Sequence, residues 1–170
     1  MIDETDKKIL TILQGNARIS NADIARSVGK APSAVLERVR RLERRGIVTG
    51  YEARINPKAV GKSLTAFTFV RTEEAVGSTD AGALLGTFPE VMEVHHTAGQ
   101  DCYLVKVRVE DTEALGALLK RFGAIPQVRD TRTTIVLTTV KETASMNLGT
   151  TLGEAPPVAP APPQAPTETE

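Results

Sequence analysis

Residues 29–46 read GKAPSAVLERVRRLERRG, and this stretch sets the terms for the rest of the chain. Pro32 suits the first turn of a helix, where its missing N–H costs nothing. Val35, Val39 and Leu42 then recur at i, i+4 and i+7, with Leu36 beside them, until Gly46 stops the pattern. One apolar stripe leaves Ser33, Ala34, Glu37, Arg38, Arg40, Arg41, Arg44 and Arg45 pointing away from it. Lys30 and five arginines stand against only Glu37 and Glu43. Internal ion pairs on a solvated helix contribute about 0.2–0.5 kcal/mol each, whereas the like charges between Arg40 and Arg45 repel. A polyanionic partner is the stronger reason for such a helix.

Upstream, two more helices are predicted. Asp3 caps a first one carrying Ile9, Leu10, Ile12 and Leu13, ending near Gly15. Ser20 with Asp23 three residues on resembles a capping box for a short second helix, with Ile24, Ala25 and Val28 inward and Gly29 at its end. Two helices joined by a short glycine-containing turn, the second amphipathic, form the helix-turn-helix layout that places the N-terminal part of its second helix in the major groove of double-stranded DNA. On that reading small Ser33 and Ala34 permit close approach, Arg38 donates to a guanine edge and Glu37 accepts from cytosine. Arg40, Arg41, Arg44, Arg45, Lys30 and Arg18 address phosphates, with Asn21 at the head of the second helix beside them.

Charge supports the division. The chain is formally neutral, yet residues 1–60 hold 12 Lys/Arg against 7 Asp/Glu, and residues 61–142 hold 9 against 11. A basic front half points to nucleic acid. Residues 1–50 are therefore assigned to a helix-turn-helix domain. Residues 51–62 are read as a β-ribbon linker, because IVTGYEARI alternates loosely before the Asn56-Pro57 turn.

The following segment, 63–142, carries a faint internal repeat. Ala81, Leu84, Leu85 and Phe88 share their spacing with Leu115, Leu118, Leu119 and Phe122. Each set follows a strand-like run (LTAFTFVR, then CYLVKVRV) and precedes another. Strand, helix, strand, twice over, is the ferredoxin-like βαββαβ pattern, so the fold class is α+β. Helices cover one sheet face only. TTIVLTTV is nearly continuous, and Phe67 and Phe69 lie opposite Ala66 and Val70. Two apolar faces predict a homodimer through the sheet.

One cysteine, Cys102, excludes a disulfide framework and suits a reducing cytoplasm. No apolar run reaches the roughly 18–20 residues of a membrane span, and the acidic start lacks a secretory pattern. Adjacent His95 and His96 point to opposite faces of a strand and make a poor metal site. Residues 143–170 end in a Pro- and Ala-rich run with little apolar bulk and are read as a disordered tail.

The segments DKKILTILQGNARIS, APSAVLERVRRLERRGIVTGY, AGQDCYLVKV and VRDTRTTIVLTTVKE, in this order, resemble the Lrp/AsnC family of regulators over residues 2 to about 142. The resemblance implies a winged helix-turn-helix, a ferredoxin-like regulatory domain, homodimers that assemble into octamers, and an amino-acid effector near dimer contacts, with no other cofactor. It assigns effector binding to Gly99, Gln100, Asp101 and Cys102, with Thr134, Ile135 and Val136 on the opposite wall. Two departures stand out. Ala31 replaces the usual Ser or Thr cap before Pro32. Cys102 stands where the family's Gly-x-x-Asp-Tyr loop carries an aspartate, and a neutral thiol cannot replace a carboxylate toward an ammonium. Asp101 substitutes only if it lies in the loop rather than on the strand, where it would face the other way. Two other readings remain. One is a DNA-architectural oligomer without effector. The other is an enzyme like the siroheme decarboxylases, which look like this family but give no reason for an arginine-rich helix.

Overall fold

The computed structural model describes residues 2–75 and 77–150. The described residues divide into two compact units, one of residues 2–53 with 143–150, the other within residues 54–142.

The first unit is a three-helix cluster. Helix α1 (Glu4–Gly15) opens on a full capping box, in which Asp6 N donates to Asp3 Oδ1 at 2.8 Å and Asp3 N donates to Asp6 Oδ2 at 3.3 Å. Helix α2 (Asn21–Val28) is capped by Ser20, which accepts from Asp23 N at 3.1 Å, and ends at Gly29 in the left-handed region, φ 64°. Helix α3 (Pro32–Arg44) begins at Ala31, which offers no side-chain cap. That omission costs about 1 kcal/mol relative to Ser or Thr. Ile9, Leu10, Ile24, Ala25, Val35, Val39 and Leu42 form the core.

The expected ribbon is absent. Residues 51–56 form no strand, and the one regular element in the linker is a 3-10 turn at Lys58–Val60. Ile47 and Val48 instead donate their N–H groups to the Leu42 carbonyl and pack on the helical core. A ribbon needs a partner strand, and none is supplied here.

The second unit holds strands β1 (Leu64–Thr72), β2 (Val91–His96), β3 (Tyr103–Val109) and β4 (Val128–Ile135), with α4 (Asp80–Leu85) and α5 (Thr112–Gly123). The strands pair antiparallel in the order β2-β3-β1-β4. Ala66, Val70, Tyr103, Val105, Val107 and Val109 meet Ala81, Leu85, Leu115, Leu118 and Phe122 in one buried core. Helix α4 is shorter than its repeat partner. Leu84 is exposed, and Phe88 lies beyond the helix with its ring edge-on to Phe122 at 5.2 Å.

Three expectations need correction. Strand β4 covers 128–135, not the apolar run that ends at Val140, and Leu137 and Val140 are exposed. Its register is set by pairing with β1, from Thr72↔Val128 to Ala66↔Ile135. The open sheet face is not simply apolar either. Register places Phe67, Phe69 and Leu104 there among Lys106, Arg108, Glu93, Arg132 and Asp130. Finally, the expected tail begins too early at 143, because Leu148 packs against the helical core. The Pro- and Ala-rich run from 151 lies outside the described residues.

Tyr103 fixes one end of this domain. Its buried ring leaves no room at Gly82, where an added Cβ would stand 2.4 Å from Cε1, and its hydroxyl donates to Glu74 Oε2 at 3.0 Å. Gly82→Ala is expected to cost about 1–3 kcal/mol through overpacking, read as a lower urea midpoint of the purified protein.

Candidate DNA-binding face and effector cleft

The arginines of α3 separate into two groups. Arg38 Nη1 donates to Asp3 Oδ2 at 2.6 Å and Asp6 Oδ1 at 2.8 Å; Arg41 Nη2 donates to both Asp6 oxygens at 3.0 and 2.9 Å. The Asp6 side chain is fully buried. Asp3 and Asp6 are three residues apart on α1, Arg38 and Arg41 three apart on α3, so two matched i,i+3 pairs face each other across the helix crossing. The Arg38 guanidinium is held above its ordinary value, chiefly by Asp3 and then by Asp6. The Asp3 carboxyl is correspondingly held below the usual range, first by Arg38. The Arg38 guanidinium, expected from the helical stripe to point outward, turns back to the start of α1, and Arg41 does the same.

The remaining residues of the expected face stay outside. Ser33, Ala34, Glu37, Arg40, Arg44 and Arg45 are exposed on α3, as are Arg18 before α2 and Lys30 between α2 and α3. Asn21, first residue of α2, is half-buried. Arg44 donates to Glu37 at 2.9 Å and lowers that carboxyl below its ordinary range. The exposure of both partners makes this a pair a phosphate can compete for. Asp6 was missed as a clamp, although the matched spacings were present in the sequence.

In the second unit a cleft of about 500 Å³ is lined by Arg71, Gln100, Asp101, Asp130 and Arg132. Arg132 Nη2 donates to Asp101 Oδ2 at 2.8 Å, and its guanidinium lies 4.7 Å over the Phe69 ring. Arg71 stands 3.8 Å from Asp130. Two residues of the expected effector loop, Gln100 and Asp101, line this cleft; Gly99 and Cys102 do not. Cys102 is half-buried and turned toward β1, with its N–H on the Val70 carbonyl at 2.9 Å and Sγ 3.6 Å from the Thr72 carbonyl. Thr134, Ile135 and Val136 do not form the opposite wall. Thr134 pairs with Phe67, Ile135 with Ala66, and Val136 N donates to the Thr65 carbonyl. The wall comes from earlier on β4, through Asp130 and Arg132.

A family model described as winged helix-turn-helix DNA-binding matches residues 2–49, and one described as Lrp/AsnC ligand binding domain matches residues 65–146. The HTH-type transcriptional regulator FL11 of Pyrococcus horikoshii is 37% identical over 145 residues, covering 85% of this chain and 95% of that protein. This chain belongs to the Lrp/AsnC family. Like the other members, it is a DNA-binding transcriptional regulator with a ligand-binding domain. The leucine-responsive regulatory protein of Escherichia coli is 38% identical over 146 residues, 83% of this chain and 88% of that protein. The solved NMB0573/L-Met complex from Neisseria meningitidis matches with TM-score 0.81 and 32% identity over 88% of this chain and 98% of that one. The feast or famine regulatory protein Rv3291c from M. tuberculosis, complexed with L-methionine, matches with TM-score 0.80 and 38% identity over 86% and 99%. Among the described residues, no helix of this Lrp/AsnC protein is long and apolar enough to cross a membrane.

The clamp separates stability from DNA contact within one helix. Asp6→Asn keeps the volume but removes the charge between two guanidinia, and is expected to lower stability by about 2–4 kcal/mol. Arg40→Ala should stay within about 0.5 kcal/mol of the parent. Denaturant unfolding of both variants checks the contrast.

Proposed function

We propose that this regulator reads operator DNA with the first turns of α3 and anchors through the cations that the clamp leaves outside. Ser33, Ala34 and Glu37 approach the base edges. Arg18, Lys30, Arg40, Arg44 and Arg45 meet phosphates, with Asn21 at the start of α2 as a further contact. The observation that carries this reading is the split in α3. Arg38 and Arg41 are engaged by buried or capping aspartates, while Arg40, Arg44 and Arg45 lie exposed along the later turns and C-terminal end of the helix and small Ser33 and Ala34 are exposed at its N-terminus. The protein works in the cytoplasm as a regulator rather than an enzyme. It acts as a homodimer built on the open sheet face, where Phe67 and Leu104 form the apolar centre and Phe69 lies beneath Arg132 beside it, and dimers associate further into octamers. Paired recognition helices then set the operator spacing.

The effector is an amino acid, bound at the cleft that Asp101 and Arg132 share. A zwitterion needs a carboxylate for its ammonium and a guanidinium for its carboxylate, and this cleft presents two of each. Asp101 fills the role lost at Cys102. Two structural neighbours carry L-methionine, which makes that amino acid the first to test.

The test of DNA reading is binding to fragments of the protein's own upstream DNA at two salt concentrations against excess unrelated DNA. Arg40→Ala and Arg44→Ala should weaken all sequences alike and reduce the salt slope by about 0.9 each. Ala34→Glu should abolish preference for the retained fragment. Arg38→Ala should act chiefly through stability. Uniform binding to every fragment by the parent protein would overturn sequence-specific reading.

For the effector, Asp101→Asn should weaken L-methionine binding by at least about tenfold, the cost of losing a charged hydrogen-bond partner. Titration calorimetry checks it, with N-acetyl-methionine expected not to bind.

A further inference from the structure

The open face of the sheet carries more charge than the core of an interface readily accepts. Register places Arg71, Lys106, Arg108 and Arg132 on it, beside Phe67, Phe69 and Leu104. Two of these cations are already short of water in a single chain. The Lys106 and Arg108 side chains are only 13% and 17% exposed. Lys106 lies directly opposite Phe67 across the β1–β3 ladder, next to the apolar centre. An ammonium and a guanidinium placed there resist further burial unless carboxylates go with them.

The carboxylates arrive from both edges of the sheet. Glu93 on β2 pairs with Lys106 in register and accepts from its Nζ at 2.9 Å. Glu142 comes from the side of β4. Past that strand Val136 N donates to the Thr65 carbonyl of β1, and by residue 142 the chain has reached β3. There Glu142 Oε2 accepts from Arg108 at 2.9 Å, and Oε1 accepts from Lys106. Burial works against the Lys106 ammonium, but its bonds to Glu142 and Glu93 outweigh that and raise it. The Glu142 carboxyl is held below its ordinary range, chiefly by Lys106. Two cations thus meet two carboxylates of the same chain. Leu137 and Val140, carried on the crossing segment, are almost fully exposed, apolar groups that one chain leaves uncovered. A homodimer contact presents the same patch from both sides. Without Glu142 two basic patches would enter it; with Glu142 each enters neutral.

We propose that Glu142 is the residue that makes the open face fit to be buried by a second copy of this chain. It closes the charges of Lys106 and Arg108 within its own protomer and leaves Phe67, Leu104, Leu137 and Val140 as the attractive part of the surface. The partner such a face fits is apolar at its centre and neutral around it. A second copy presents that surface, and a strongly acidic or basic partner does not. The inference rests on the homodimer through this face and names a residue on which that homodimer depends.

The test mixes heavy-isotope-labelled and unlabelled full-length protein and follows the appearance of mixed dimers by native mass spectrometry. Subunit exchange reads the dissociation rate, where most affinity differences among variants of one interface lie. Glu142→Gln keeps the size of the side chain and removes its charge. It should exchange at least about a hundredfold faster than the parent, the effect of removing one partner of a desolvated ion pair. Adding Arg108→Met removes the cation left alone, while Lys106 keeps its bond to Glu93. The double variant should exchange at least about tenfold more slowly than Glu142→Gln. Far-UV circular dichroism of both variants should match the parent; a changed spectrum in Glu142→Gln would mark a fold effect and count against the proposal. A parent that is monomeric at micromolar concentration would overturn the homodimer reading and this inference with it. A dimeric parent with unchanged exchange in Glu142→Gln would overturn this inference alone. So would fast exchange that Arg108→Met leaves untouched, because a packing role is not rescued by removing a cation.

Discussion

A carboxylate with no access to water holds the DNA-binding unit together. Burying Asp6 alone would be prohibitive, and charge at such a site persists only with partners that replace its hydration. It has three: the Asp3 N–H of the capping box and the guanidinia of Arg38 and Arg41. The same contact sets the α1–α3 crossing, ends the repulsion that two of the helix's arginines would otherwise add, and compensates for the cap that Ala31 does not supply. A helix this rich in like charge, without a side-chain cap, is a poor autonomous helix. Its stability is tertiary.

The regulatory unit relies on neutral packing in its core and on charge at its edge. Tyr103 links the two. Its ring fills the space at Gly82, and its hydroxyl joins Thr72, Ser78 and the Ala81 N–H around Glu74. Burial alone would raise that carboxyl, but these donors outweigh it and hold it below its ordinary range. The next residues back along the chain, 97–102, form the loop that the family resemblance assigns to the effector. Thr97 N donates to the Cys102 carbonyl at 2.8 Å and Thr97 Oγ1 to the Asp101 carbonyl at 2.7 Å. The Cys102 N–H on Val70 continues the β1–β3 ladder and turns the thiol inward. In an extended segment a shift of one residue changes the face. A carboxylate at 101 rather than 102 is therefore aimed differently from the family pattern, toward Arg132 on β4.

What could be read from the sequence was local. The caps Asp3 and Ser20, the stop at Gly29, the stripe Val35–Val39–Leu42 and the twofold strand–helix–strand repeat depend on neighbours within a turn or two. The destinations of Arg38 and Arg41 depend on how α1 crosses α3, which helical periodicity does not encode. Strand β4 failed for a related reason. The apolar run from Ile135 to Val140 has the stronger strand propensity, but hydrogen bonding to β1 selects the polar run Val128–Ile135. The β4 residues that line the cleft, Asp130 and Arg132, accordingly lie earlier in the chain than Thr134–Val136. The segment 51–56 pairs with no strand of its own chain, because alternation shows what a strand would look like and not where its partner lies.

The cleft's charges also bear on how selectivity arises. Arg132 already pairs with Asp101, and Arg71 lies near Asp130, so a zwitterionic ligand would exchange existing ion pairs for new ones. Arg71 and Arg132 are well exposed, and pairs of that kind are worth about 0–1 kcal/mol. Breaking them costs little, so a ligand that bonds the half-buried Asp101 would keep most of what that bond contributes. On the proposed reading, such an exchange would recognise an amino acid by its two termini without strongly favouring any one. Discrimination among amino acids would then come from the side chain, and an apolar group beside the cleft is the Phe69 ring beneath Arg132. A ligand that draws Arg132 toward its carboxylate uncovers that ring, and an apolar side chain can take the place of the guanidinium at about 25 cal/mol per Å² of surface removed from water. On that reading charge would admit the class and the uncovered ring would select the member.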